Sequence, residues 1–166
     1  FSDFKLNSFL KVIQESLSEI ISLKAKNLYF INSSDSGSLS EDSIARLSSL
    51  INAREYEDIE VENSFIVIPR LGTISPWSSK STEILKNSGL PSDIRIEKGI
   101  FFSLISKTSL SSEEIFNASH AVHDKMTQSV ILDIKEADNL FLDFKSDFLK
   151  TIDLLGKGTN ELSKAN

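Results

Sequence analysis

FIVIPRLGTISPWSSKST, residues 65–82, runs from the end of a strand through a loop into the start of a helix. Phe65–Ile68 is a short apolar, mostly β-branched run. Pro69 has no N–H to give to a sheet ladder and stops it. The loop that follows carries Arg70, Gly72, Thr73, Pro76 and the chain's one tryptophan, Trp77. Ser75 followed by Pro76 is an N-cap with proline at the first helical position. Gly89 supplies the left-handed terminator of that helix.

Two readings of this segment stand side by side. In one it is a well-capped connection, with Trp77 folded back onto the core as an apolar plug. In the other it is a site: a helix start offers unpaired N–H groups and a positive dipole end, and Arg70 and Lys80 add charge for an anion or a partner's carboxylate. A phosphate loop of the Walker type is excluded. Counting back from Lys80, that pattern needs glycines where Ile74 and Ser79 stand.

Working outward, helices and strands alternate. The spacing of Phe9, Leu10, Val12, Ile13 and Leu17 predicts an early helix. Ile20–Ile31 reads as one strand or two, because Lys24-Ala25-Lys26-Asn27 interrupts it. After a polar loop over residues 32–38, a second helix begins near Ser40 with Ile44, Leu47, Leu50 and Ile51 on one side. A charged connection (residues 54–63) leads into strand Phe65–Ile68 and a third helix over about Pro76–Ser88. Residues 93–105 are extended, with Glu97-Lys98-Gly99 as a bulge or turn. Ser111 and Glu114 form a capping box ahead of Ile115, Ala118, Val122 and Met126 at helical spacing. A strand over Ser129–Ile134 and a short helix over Glu136–Leu142 follow. Thr151–Leu155 reads as extended, with a hinge at Gly156-Lys157-Gly158 and a new helix beyond. Helix–strand–helix–strand, repeated twice, predicts an α+β fold of two ferredoxin-like halves over residues 1–144, with a linker beginning at 145–166.

Composition narrows the function. A chain of 166 residues suits one compact domain, and its 40% hydrophobic content is that of a globular core. A net charge of −6 makes the chain a poor match for nucleic acid or anionic lipid. No run approaches the ~18 consecutive apolar residues of a membrane span, and no signal segment opens the chain, so a cytoplasmic location is expected. The absence of cysteine removes disulfides, thiolate metal sites and thiol nucleophiles together. His120 and His123, next to Asp124, lack further ligands for a metal. Glu113, Glu114 and the acidic run Glu55, Glu57, Asp58, Glu60 and Glu62 read as solvated charge, without an apolar pocket to tune an acid–base pair.

The stretch from Ile68 to Thr82 resembles the signature TPRPGTISPWSSKAT of the large single-chain phosphoribosylformylglycinamidine synthases. Ile68, Leu71 and Ser81 are its departures. Ser2-Asp3-Phe4-Lys5 is similar to that family's opening LSAFR, His123-Asp124-Lys125-Met126 to HDRM, and Asp153–Gly158 to VDLLGQG. The order matches over essentially the whole chain.

The resemblance implies an amino-terminal domain like a fused pair of PurS-type small subunits, belonging to a much longer glutamine-dependent carbon–nitrogen ligase of purine biosynthesis. That enzyme converts formylglycinamide ribonucleotide to formylglycinamidine ribonucleotide with ATP and glutamine. The chain begins at Phe1 without a methionine and ends in an apparent helix, so a fragment is expected. No catalytic residue and no cofactor is expected within it; ATP and magnesium are implied for the parent enzyme. The implied partners are the synthetase and glutaminase domains of the same chain, which this domain would brace while helping to shape the ammonia path. Arg70, Thr73, Ser75, Trp77, Ser78, Ser79 and Lys80 are the expected working edge. The alternative is a free-standing ferredoxin-like module that binds an anionic metabolite at the helix start after Pro76.

Overall fold

A computed structural model describes residues 2–33, 39–54 and 62–142, together with 151–152, 154–157, 159 and 163. Its elements run α1 (Asp3–Gln14), β1 (Ile20–Asn32), α2 (Glu41–Ile51), β2 (Ser64–Pro69), α3 (Pro76–Asn87), β3 (Arg95–Ser106), α4 (Ser112–Ser119) and β4 (Gln128–Ile131). A 3-10 helix over Ile134–Phe141 and a short α5 (Leu154–Lys157) complete the set. The helix–strand alternation expected from the sequence is present, and the fold is α+β.

The four strands form one antiparallel sheet in the order β1-β3-β2-β4. β1 and β2 therefore run parallel with β3 between them, and β3 and β4 run parallel with β2 between them. These are two interlocked split βαβ units of the ferredoxin-like kind. The two halves alternate strand by strand within a single sheet.

β2 is buried on both faces because it is central. Phe65 and Val67 point to one face, Ile66 and Ile68 to the other, as the period of two requires. The first face carries α1 and α4, with Ile13, Ile115 and Ala118 packed on Leu23, Phe65, Phe102 and Leu104. Phe65 and Phe102 stack at 5.3 Å. Farther along the same strands, Ile31 and Ile96 receive Leu47 of α2 and Leu85 of α3. The 3-10 helix covers the opposite face, where Ala137 and Leu140 meet Ile66, Ile68, Phe101 and Ile131. Burying each such side chain contributes roughly 1.5–3 kcal/mol.

Of the two readings of β1, the single strand holds: it is continuous through Lys24–Asn27, because Leu23 and Ala25 turn to the core and the lysines alternate to solvent. Three other sequence expectations change. β3 is likewise unbroken at Glu97-Lys98-Gly99, which pair with Phe30, Tyr29 and Leu28. Gly99 serves a close approach rather than a turn: a Cβ there would lie 2.8 Å from the Phe30 ring and 3.1 Å from the Val67 carbonyl. α4 stops at Ser119, short of Val122 and Met126. The Ser119 hydroxyl takes the Phe116 carbonyl and the His123 ring takes the Ser119 carbonyl, which closes the last turn. Leu154 and Leu155 are helical rather than extended, their apolar run being too short to fix a period. The domain edge expected at 144/145, the loop over 34–38, most of the acidic run over 55–60 and most of the final helix lie outside the described residues.

Candidate functional site

The segment after β2 is fixed by its own backbone. Gly72 has φ +79°, and the Thr73 N–H donates to the Arg70 carbonyl at 3.2 Å. This is the geometry of a type II turn, which calls for glycine at its third residue. The Thr73 hydroxyl reinforces it by donating to the same carbonyl at 2.6 Å. Ser75 then caps α3, its oxygen accepting from the Ser78 N–H at 3.0 Å.

Beneath this loop sits a side chain that the motif reading passes over. Glu97 of β3 is fully buried and accepts from the Ser75 hydroxyl at 2.7 Å, the Ser75 N–H at 3.3 Å and Arg95 Nη2 at 3.1 Å. Arg95 lies over the Phe141 ring at 5.3 Å, with its Nε buried and without a hydrogen-bond partner among the described residues. Ser78 is also fully buried and donates to the Ile96 carbonyl at 2.5 Å. The helix start is thus bolted to β3 at two points, and the negative charge its dipole favours is supplied internally by Glu97.

The expected working-edge residues consequently divide. Ser75 and Ser78 face inward as fasteners. Ser79 is exposed and donates to the Ser75 carbonyl at 3.3 Å. Thr73 is exposed within the turn. Lys80 is exposed and lies 3.8 Å from Glu83, a surface pair worth little. Trp77 is 37% exposed, with its ring 5.8 Å from that of Tyr29, and Lys98 stands over the Tyr29 ring at 5.9 Å. Ile74, which sequence reading did not single out, is 61% exposed beside them. An isoleucine in a loop carries no periodicity to reveal it.

Arg70 links two motifs that lie far apart in sequence. Its N–H donates to the Thr127 carbonyl at 3.0 Å and its Nη1 to the Met126 carbonyl at 3.3 Å. Those carbonyls belong to a turn organised by Asp124, which accepts from the Met126 N–H at 2.8 Å and the Thr127 hydroxyl at 3.0 Å. The segment His123–Met126 therefore meets the signature loop. Just before it, His123 Nδ1 contacts the Ser119 carbonyl at 2.7 Å, and its ring lies 5.7 Å from that of His120. Burial, followed by the nearby charges of Lys125 and His123, holds His120 below the ordinary histidine range.

Among the described residues no group of three or more histidine, cysteine, aspartate or glutamate side chains could hold a metal ion. No described helix is long and apolar enough to cross a membrane.

The domain is an α+β fold of interlocked split βαβ units, and its braced loop after β2 carries aromatic, cationic and hydroxyl groups. Residues 26–141 match the family model described as "Formylglycinamide ribonucleotide amidotransferase N-terminal". The chain belongs to that family.

Proposed function

We propose that this domain is an assembly element of formylglycinamide ribonucleotide amidotransferase, inactive alone, which braces the synthetase domain against the glutaminase and helps to shape the ammonia path. In this reading ATP, magnesium and the glutamine-cleaving cysteine belong to other domains of the same cytoplasmic chain. The domain spans residues 1–144, and 145–166 begin the linker. Arg70, Thr73, Trp77, Ser79 and Lys80 touch the synthetase or its ribonucleotide, with Ile74 among them, while Ser75 and Ser78 hold the loop in place.

One observation carries the reading. The loop is tied down to Glu97, Ile96 and Thr127, while Ile74 and part of Trp77 stay exposed. A rigid loop loses little entropy on docking, and a half-exposed tryptophan beside cations is the usual composition of an interface anchor. The metabolite-binding alternative is disfavoured because Glu97 already takes the Ser75 N–H and hydroxyl at the same helix start.

The test is kinetic, in the full-length enzyme. Trp77→Ala and Lys80→Ala should lower glutamine-dependent turnover, Trp77→Ala by about tenfold or ~1.4 kcal/mol, while turnover with free ammonia falls much less. Unchanged glutamine-dependent turnover in both variants would remove the assembly role from this loop.

A further inference from the structure

The structure holds a second surface, which meets the signature loop only at its end, where Trp77 packs on Tyr29. β1 is an edge strand: β3 pairs with one side, and among the described residues no hydrogen bond reaches the outward-facing N–H and C=O groups of Lys24–Ile31. α2 stands alongside this edge. Between them runs a groove of about 710 Å³, floored by Ile44, Leu47 and Ile51 of α2 and walled by residues 26–31 of β1. The charged side chains among its lining residues are Lys26 and Arg54, both cationic in a chain of net charge −6.

We propose that this groove receives an extended segment of another domain of the same amidotransferase chain, added as a fifth strand on β1. Its backbone takes the outward-facing ladder groups, alternate apolar side chains face α2, and acidic residues meet Lys26 and Arg54. Six residues of β1 line the groove, enough for a segment of about 20 Å at ~3.3 Å per residue. The lysines also select against the competing occupant. A second copy of β1 would bring Lys24 and Lys26 against like charges, which opposes self-pairing. The proposal rests on the assembly role argued above and adds a second contact to it.

The test uses the full-length enzyme with a photoreactive benzoylphenylalanine replacing Ser48 in one preparation and exposed Asn27 in another. Both positions should cross-link to a single stretch beyond residue 166 with alternating apolar and acidic residues, and the K26E/R54E pair should abolish the cross-link. Cross-links confined to residues 1–166, scattered over unrelated segments, or absent from both preparations would overturn the proposal. The Asn27 position keeps the result readable if the Ser48 replacement disturbs α2. The two readings fail separately: a single cross-link with undiminished turnover in Trp77→Ala leaves the groove and removes the loop's role, and the reverse pattern does the opposite.

Discussion

Glu97 ties the signature loop to the sheet, and its surroundings set what its loss costs. It is fully buried, and its partners Ser75 and Arg95 have no equivalent acceptor once it is gone. Breaking one side of a buried pair leaves an uncompensated charge, so Glu97→Ala should destabilise the domain by about 3 kcal/mol. In a chain of this size that lowers Tm by about 6–12 °C. Glu97→Gln keeps an acceptor for the Ser75 hydroxyl and should lose less. Chemical denaturation checks both, and a loss below about 1 kcal/mol for the alanine variant would show that the loop is held by other means. The sequence concealed this residue for a physical reason. Glu97-Lys98-Gly99 has the composition of a bulge, and a charge becomes tolerable there only once Ser75 of the loop and Arg95 reach it.

α4 carries titratable groups at its two ends, and both act on stability in the same direction. At its start the Ser111 N–H and hydroxyl donate to Glu114 at 2.8 and 2.7 Å, holding that carboxyl below its ordinary value of 4.5. A depressed carboxyl contributes stability that is complete above the unfolded value and is lost as pH falls through the folded one. At the helix end His120 also sits below its ordinary 6.5, so the unfolded chain takes up that proton first and the folded state loses ground as pH drops below about 6.5. Stability should therefore fall in two steps on acidification. His120→Gln should flatten the step nearer neutrality and Glu114→Gln the more acidic one, while Ser111→Ala, which keeps the backbone N–H to Glu114, should cost ~1 kcal/mol at neutral pH through loss of the cap. Denaturation midpoints across pH 3–8 read both effects, and an unchanged profile in His120→Gln would refute the first. The capping box was legible because Ser111 and Glu114 are three residues apart and meet without help from the rest of the fold. So were the caps of α2 and α3 at Ser40 and Ser75. The end of α4 was not, since Val122 and Met126 continue the apolar spacing while hydrogen bonds at Ser119 and His123 end the helix.

The repeat of helix, strand, helix, strand gives two halves, and the sheet order makes them depend on each other. β1 and β2, both from the first half, never pair with each other: β3 lies between them and supplies the whole inner ladder of β1, from Ile20–Ser106 to Asn32–Arg95. β4 in turn depends on β2, through Ile66–Ile131 to Pro69–Gln128. The core is shared in the same way, with Phe65 of the first half stacked on Phe102 of the second. Residues 1–73 alone would leave β1 and β2 without a ladder and their apolar faces in water, and residues 74–166 would strand β3 and β4 similarly. Each piece expressed alone should lack a cooperative thermal transition, whereas residues 1–142 together should unfold in a single one. Mixing the two pieces should restore the transition, because every strand then finds its neighbours. Circular dichroism melts of the three preparations decide the matter. A cooperative melt from residues 1–73 alone would mean that β1 and β2 can pair directly, and the interlocked sheet would not be the unit of stability.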